Sequence, residues 1–377
     1  MSKAPPIRLL TFSTLYPSPA RPNHGVFVEN RLRHLIESGE ATAIVLAPVP
    51  WRGGGGVEVT RHGIRVLHPA FLAVPGLGLL TGPAMLYVAA RAALRRLLAE
   101  GEVFDAIDGH YLYPDGVVAL RLGREFGLPV VLTGRGSDVS QLPNIWPAGG
   151  AIRRTLQQAD ALIAVSEGLK QGMVTLGAAP ERVTVLRNGV DLQIFRPAVG
   201  RAAGRVLLSV GLLIERKGHD RIIAALPSLP DHRLVIIGQG PNRAALLAQA
   251  EGLGVADRVT LLGAVPHGEL ARHYAAADAL ILASSREGWA NVLLEAMACG
   301  TPVIASPAWG SREAVRAPEA GLVLDDTAPA TIAAGVRRLF AALPDRAATR
   351  RYAEGFGWAP TTAGQLAVFR GVLAARA

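Results

Sequence analysis

The chain reads as an α/β protein made of two parallel-sheet halves, on three observations. At 377 residues it is too long for one ordinary core and suits two domains. Short apolar runs alternate with helical periods in two successive series, the pattern of parallel strands covered by helices on both faces. The stretch 280–306 holds the pattern in one unit: an apolar run at 279–283, a polar turn at 284–288, a helix over 291–299 and a strand from Val303. Gly300 ends that helix and Pro302 cannot continue it. Such a unit aims unpaired helix N–H groups at whatever lies above the strand ends, and a phosphate is the natural occupant.

In chain order, the first half predicts strands at 7–11, 43–47, 64–67, 104–108, 130–133, 161–165 and 183–186. Helices start near Val26, run from about Leu79 to Glu100, cover 117–126 and end at Leu176. Gly25 precedes the first helix; it either lets a ligand approach the backbone there or is a plain turn glycine. Ser166 reads as a helix cap. Residues 196–204 are the natural linker, and a second series follows at 205–210, 234–237, 259–261, 279–282, 303–304 and 322–324.

Half the residues are apolar and 18% charged, a globular balance. The net charge is +9, carried almost wholly by arginine, with lysine only at 3, 170 and 217. Zinc spacing, basic runs and aromatic-rich basic ribbons are missing, which argues against nucleic acid. One cysteine, Cys299, fits a reducing compartment and the role of a small apolar residue. The N-terminus lacks the apolar region of a signal peptide. No charged residue occurs between Arg65 and Arg91, but Pro69, Pro75, Gly76, Gly78, Gly82 and Pro83 break the stretch and argue against a membrane span. Leu72, Leu77, Leu79 and Leu80 either pack into the domain or meet a membrane surface.

Glu287 lies in the turn and Glu295 eight residues on, about 80° apart if both were helical. Carboxylates accept paired hydrogen bonds from vicinal hydroxyls, so the two suit different parts of one extended ligand, a sugar and a ribose. Spacing alone also allows two solvated helix charges.

This stretch, with its E-A-M-A-C-G-T-P-V continuation, resembles the E-x7-E signature of family-4 retaining glycosyltransferases, and the resemblance runs over nearly the whole chain. It implies the GT-B architecture: two Rossmann-like domains facing across a cleft, residues 1–195 on the acceptor side and 204–358 binding the nucleotide sugar. The last helix, 360–377, then crosses back to the first domain at the Trp358-Ala359-Pro360 kink, with Trp358 also fit to anchor the core. Gly211, Gly288, Trp289, Ala290, Asn291, Val292 and Glu295 fall at donor-binding positions, and Glu287 at the sugar.

Ser209 to Gly218 is similar to the family's V-G-R-L-x-x-x-K-G phosphate grip. Lys217 falls on its lysine, but Leu212 stands where the arginine is usual. Arg216 is a substitute in charge, although adjacent residues are expected to point apart. Gly238-Gln239-Gly240 and the loop around Val265 resemble the loops that hold the base through backbone. His110 falls on a histidine that touches the donor sugar; taken alone it reads as a structural histidine. Thr133 to Asp138 looks like T-x-H-G-S-D with Arg135 replacing the histidine. Arg135 and Asp138 then face the acceptor, or form a structural pair.

The resemblance implies a cytoplasmic enzyme that moves a hexosyl unit from a nucleotide diphosphate sugar to a glycan or lipid-linked acceptor in surface polysaccharide synthesis. It would dock peripherally on anionic membrane. No D-x-D pair marks a strand end, so neither metal nor a further cofactor is expected. A GT-B epimerase or hydrolase and a non-catalytic sugar-nucleotide binder remain alternatives.

Overall fold

The computed structural model describes residues 5–198 and 204–376. They form two compact units, Met1–Asn188 with Trp358–Ala377, and Gly189–Gly357. The second unit takes up residues 189–195, ahead of the 196–204 segment read as the linker; positions 199–203 of that segment lie outside the described residues. Phe195 explains the shift, because it is fully buried with its ring edge-on to Tyr274 at 5.9 Å inside the second unit.

The first unit is an eight-stranded sheet. Its strands are β1 (Ile7–Phe12), β2 (Ala41–Leu46), β3 (Val57–Arg61), β4 (Ile64–His68), β5 (Ala106–His110), β6 (Val130–Gly134), β7 (Ala161–Ala164) and β8 (Val183–Val185), in the order β8-β7-β6-β5-β1-β2-β4-β3. All neighbours are parallel except the β3/β4 hairpin, which places an antiparallel edge on the sheet. Central strands such as β6, Val-Val-Leu-Thr-Gly, are buried on both faces, as a doubly covered parallel sheet requires. The β3 strand is missing from the sequence reading; it alternates outward and is joined to β4 by His62 and Gly63, both at positive φ, a hairpin-turn geometry.

Helix α1 (Val26–Glu37) buries Val28, Leu32 and Leu35 at helical spacing. Helix α2 (Gly78–Ala99) leaves Leu79, Leu80 and Val88 exposed, and Leu72 on its approach is 60% exposed. Helix α3 (Val117–Phe126) lies where it was read; helix α4 (Ala148–Gln158) was not read, because Gly149 and Gly150 mask it. A Cβ on Gly149 would stand 2.1 Å from the Pro143 carbonyl oxygen, so close packing demands the glycine. Helix α5 (Glu167–Thr175) is capped by the Ser166 hydroxyl, which accepts the Leu169 N–H at 3.2 Å.

The second unit is a six-stranded parallel sheet. Its strands are β9 (Val206–Val210), β10 (Arg233–Ile237), β11 (Val259–Gly263), β12 (Ala279–Leu282), β13 (Val303–Ala305) and β14 (Gly321–Val323), in the order β11-β10-β9-β12-β13-β14. Order reverses between β9 and β12, the switch point where open α/β sheets bind ligands. Helix α6 (Asn291–Ala298) follows β12, and Gly300 ends it at φ 73°. Helices α7 (Trp309–Ala314) and α8 (Pro329–Ala341) flank β14.

The last helix, α9 (Ala359–Ala374), belongs to the first unit. It buries Leu366, Phe369 and Val372 in the same core as Val28, Leu32 and Leu35 of α1. Trp358 stacks on His34 at 5.1 Å where α9 begins.

Candidate active site

The second unit's site is assembled by glycines. Past β9 the chain must fold back closely, and a Cβ on Gly238 would lie 1.8 Å from the Gly211 carbonyl oxygen. One on Gly240 would lie 2.4 Å from the Leu213 carbonyl oxygen, so these two loops nest only with bare backbone. A single 3-10 turn, Glu215–Lys217, then ends at Gly218, whose φ of 67° brings it against Ala283 at the end of β12. The Ser285 N–H donates to the Arg216 carbonyl at 2.9 Å and ties the turn to the loop that carries Glu287.

There Lys217 Nζ lies 2.5 Å from Glu287 Oε1. Arg216 Nη1 lies 3.9 Å from the same oxygen and donates to the Arg286 carbonyl at 3.0 Å. The two adjacent cations therefore converge, against the expectation that they point apart. The tight turn keeps both backbones beside the 285–287 loop, and the long arginine stem reaches round. Leu212, standing where an arginine was expected, is exposed.

Glu295, on the second turn of α6, is nearly buried. Its Oε1 meets His267 Nε2 at 2.9 Å and its Oε2 accepts the Tyr274 hydroxyl at 2.8 Å. Burial, then the adjoining carboxylate, pushes the Tyr274 phenol well above its ordinary value, so it stays a donor. Phe195 lies edge-on to His267 at 5.3 Å and walls this pair. His267 and Tyr274 were missed in the sequence: the Val265-Pro266-His267 step was the one available signal, and Tyr274 had none. Burial pushes the nearby Cys299 thiol up to about 12, which leaves it inert at neutral pH.

Around α6, Gly288, Trp289 and Ala290 are buried, while Asn291 and Val292 are partly open. The Trp289 ring packs toward Phe356 at 6.3 Å. Val265 is partly open.

In the first unit, His110 ends β5 and is 1% exposed. Arg135 Nη2 donates to its Nδ1 at 2.7 Å, and its Nε2 lies 3.1 Å from Asp108 Oδ2. An arginine only donates, so Nδ1 accepts and the proton sits on Nε2, pointing at the carboxylate. Burial, opposed by Asp108 and reinforced by Arg135, pushes the imidazole down to about 4. Burial would raise Asp108, but the His110 contact and the Arg31 and Arg135 guanidiniums hold it below the usual carboxylate range. The His110 ring, expected at the donor sugar, has both nitrogens engaged by residues of its own unit.

Asn188 Oδ1 accepts from Arg135 Nη1 and from Arg31 Nη1, each at 3.2 Å. Arg31 also donates to the Leu186 carbonyl and to Gln365 on α9, both at 3.0 Å. Asp138, expected to face an acceptor, is fully buried and accepts the backbone N–H groups of Leu112, Arg135 and Gly136. It shapes the loop, and Arg135 pairs through its side chain with His110 instead. Gly25, at φ 72°, is required by its own chain: a Cβ there would stand 2.3 Å from the Leu15 carbonyl.

Comparison with known proteins adds the lineage. Residues 16–194 match the family model "Glycosyltransferase Family 4" and residues 194–356 match "Glycosyl transferases group 1". A D-inositol 3-phosphate glycosyltransferase of Thermobispora bispora is 36% identical over 298 residues, which cover 69% of this chain and 69% of the relative. The chain belongs to glycosyltransferase family 4. The glycosyltransferase has the GT-B fold, built from two Rossmann-like halves. A sucrose-phosphate synthase structure from Thermosynechococcus elongatus superposes with a TM-score of 0.84 at 20% identity, covering 98% of this chain and all of that one. Anabaena Alr3699/HepE in complex with UDP-glucose gives 0.74 at 18% identity, covering 96% and 98%.

Proposed function

We propose that this glycosyltransferase moves a hexosyl unit, with retention at the anomeric carbon, from a nucleotide diphosphate sugar to a glycan or lipid-linked acceptor in surface polysaccharide synthesis. The observation that carries the reading is the convergence of Lys217 and Arg216 on Glu287 beside the Gly211, Gly238 and Gly240 loops. Two cations at that point suit a diphosphate leaving group, whose growing charge they would stabilise in a partly buried site. Arg216 then takes the place of the arginine that Leu212 displaces, and no metal or further cofactor enters the step. Glu287 meets the sugar; Glu295, oriented by His267 and Tyr274, accepts from the ribose diol.

A second reading of the acceptor comes from the relative named for D-inositol 3-phosphate, which brings in a phosphorylated polyol. Both readings are tested by one screen: turnover of a panel of nucleotide sugars against lipid extracts and against D-inositol 3-phosphate, with and without EDTA. Retention is read from the product anomer. Activity that disappears with chelator and returns with a divalent cation overturns the metal-free account; the absence of turnover with every donor overturns the enzymatic one.

We also propose that the first unit docks weakly on the anionic inner membrane surface through Leu72, Leu77, Leu79 and Leu80, all exposed. No helix among the described residues is long and apolar enough to cross a membrane. Arg91, Arg95 and Arg96 of α2 are paired with Glu125, Glu58 and Glu100, so apolar contact carries the docking and the net charge of +9 adds a salt-screened attraction.

A further inference from the structure

Beside β14, the outermost strand of the second sheet, lies a hollow of about 480 Å³ lined by Arg312 of α7, Arg316 of the connection that follows it, and Arg338 of α8. No carboxylate lines it. All three arginines are exposed, and among the described residues none of their guanidiniums has a hydrogen-bond or ion-pair partner, whereas the neighbouring Arg337 is spent on the Ser228 carbonyl. Leu322 and Leu339 form an apolar part of the lining.

Other arginines of the chain are matched by carboxylates, as Arg65 is by Glu58, Glu100 and Glu102. Here three like charges share one concave surface, which costs free energy through repulsion that a counter-anion removes. Guanidiniums bind phosphate through paired, charge-assisted hydrogen bonds, and several around one hollow favour a ligand with more than one phosphate. The volume falls within the range of small-molecule sites. The site is separate from the donor grip: it shares no residue with the Lys217 and Glu287 loops, which lie beyond the ends of β9 and β12.

We propose that the Arg312, Arg316 and Arg338 hollow binds clustered phosphate, either on a free small molecule or on a lipid headgroup, independently of the donor site. The test uses the full chain carrying Lys217→Ala, so that the donor grip contributes little. Inorganic pyrophosphate is titrated calorimetrically in one arm, and vesicles containing phosphatidic acid are sedimented with the protein in the other. Each arm is repeated with Arg312→Gln/Arg338→Gln and with Arg153→Gln/Arg154→Gln, an exposed pair on α4 that removes the same charge elsewhere.

Loss of charge-assisted bonds in the first pair should weaken binding by about tenfold or more, with the α4 pair unchanged within about twofold. Selective loss in the pyrophosphate arm identifies a free ligand, and selective loss in the vesicle arm alone identifies a headgroup. Absence of binding in both arms, or equal weakening by the two pairs, overturns the proposal. The donor reading stands or falls separately, on nucleotide binding to the chain with Lys217 intact.

Discussion

Lys217 Nζ and Glu287 Oε1 stand 2.5 Å apart, so the carboxylate engages the cation proposed to receive the diphosphate. On that proposal the donor displaces or shares an internal anion. Glu287→Gln should lower turnover sharply while free nucleoside diphosphate binds as tightly as before or several-fold tighter, since the amide releases the cation. Lys217→Ala should lose binding and rate together. Nucleotide titrations beside initial rates check both; weaker nucleotide binding in Glu287→Gln would falsify this role for the pair.

Glu295 depends on two partners from the neighbouring segment. Removing the phenol in Tyr274→Phe leaves a buried carboxylate short of a donor, at a cost of about 1.5–3 kcal/mol in stability. Glu295→Ala should in addition lose affinity for nucleoside but not for pyrophosphate. Urea midpoints and paired titrations with the two ligands separate the effects. Equal loss of both ligands in Glu295→Ala would remove the ribose assignment.

Asp115 offers a pH signature. It is fully buried, accepts the Thr14 N–H at 2.7 Å, and burial above all pushes its carboxyl up to about 7. The folded chain then holds a proton that the unfolded chain has released, so this contribution is complete below about pH 4 and is lost as pH rises through 7. His110 and His219, both pushed down to about 4, act oppositely, but only up to their unfolded value near pH 6.5. Between about pH 6.5 and 8, Asp115 should therefore cost the native chain on the order of 1 kcal/mol of stability. Asp115→Asn mimics the protonated form and should flatten that slope in urea unfolding; identical slopes in both chains rule the mechanism out.

Membrane docking is tested by sedimentation with anionic and neutral vesicles at low and high salt. The native chain should pellet with anionic vesicles at low salt, and Leu77→Gln/Leu80→Gln should return it to the supernatant. A native chain that stays soluble under every condition leaves those leucines without the proposed role.

How much of this was legible depended on whether the signal was local. The unit from β12 through α6 to β13 could be read because apolar runs, a terminating glycine and Pro302 sit together in sequence. So could Lys217, through its place after a glycine loop. The turn at Arg216 could not, since side-chain direction out of one 3-10 turn depends on which loop packs against it. The meeting of His267 and Tyr274 with Glu295, across 28 and 21 residues, left almost no local trace. Nothing local marks Arg31 as buried, because its partners Asn188 and Gln365 come from far along the chain. The unit boundary was hidden for the same reason: Val190 and Phe195 look like the tail of the first half until their partners in the second are known.

Helix α9 gives the chain a constraint on its order of assembly. Leaving the ribosome after the strands of both sheets, it supplies Phe369 to the core that holds Ile7, and Gln365 to the guanidinium of Arg31. Until residues 358–376 emerge, that unit carries an open apolar face and a buried cation short of an acceptor, while Gly189–Gly357 is already contiguous and free to fold. The later half of the polypeptide is thus the one suited to maturing first. A fragment cut after residue 188 should be a dependent client of chaperones, whereas a fragment of 189–357 should stand alone.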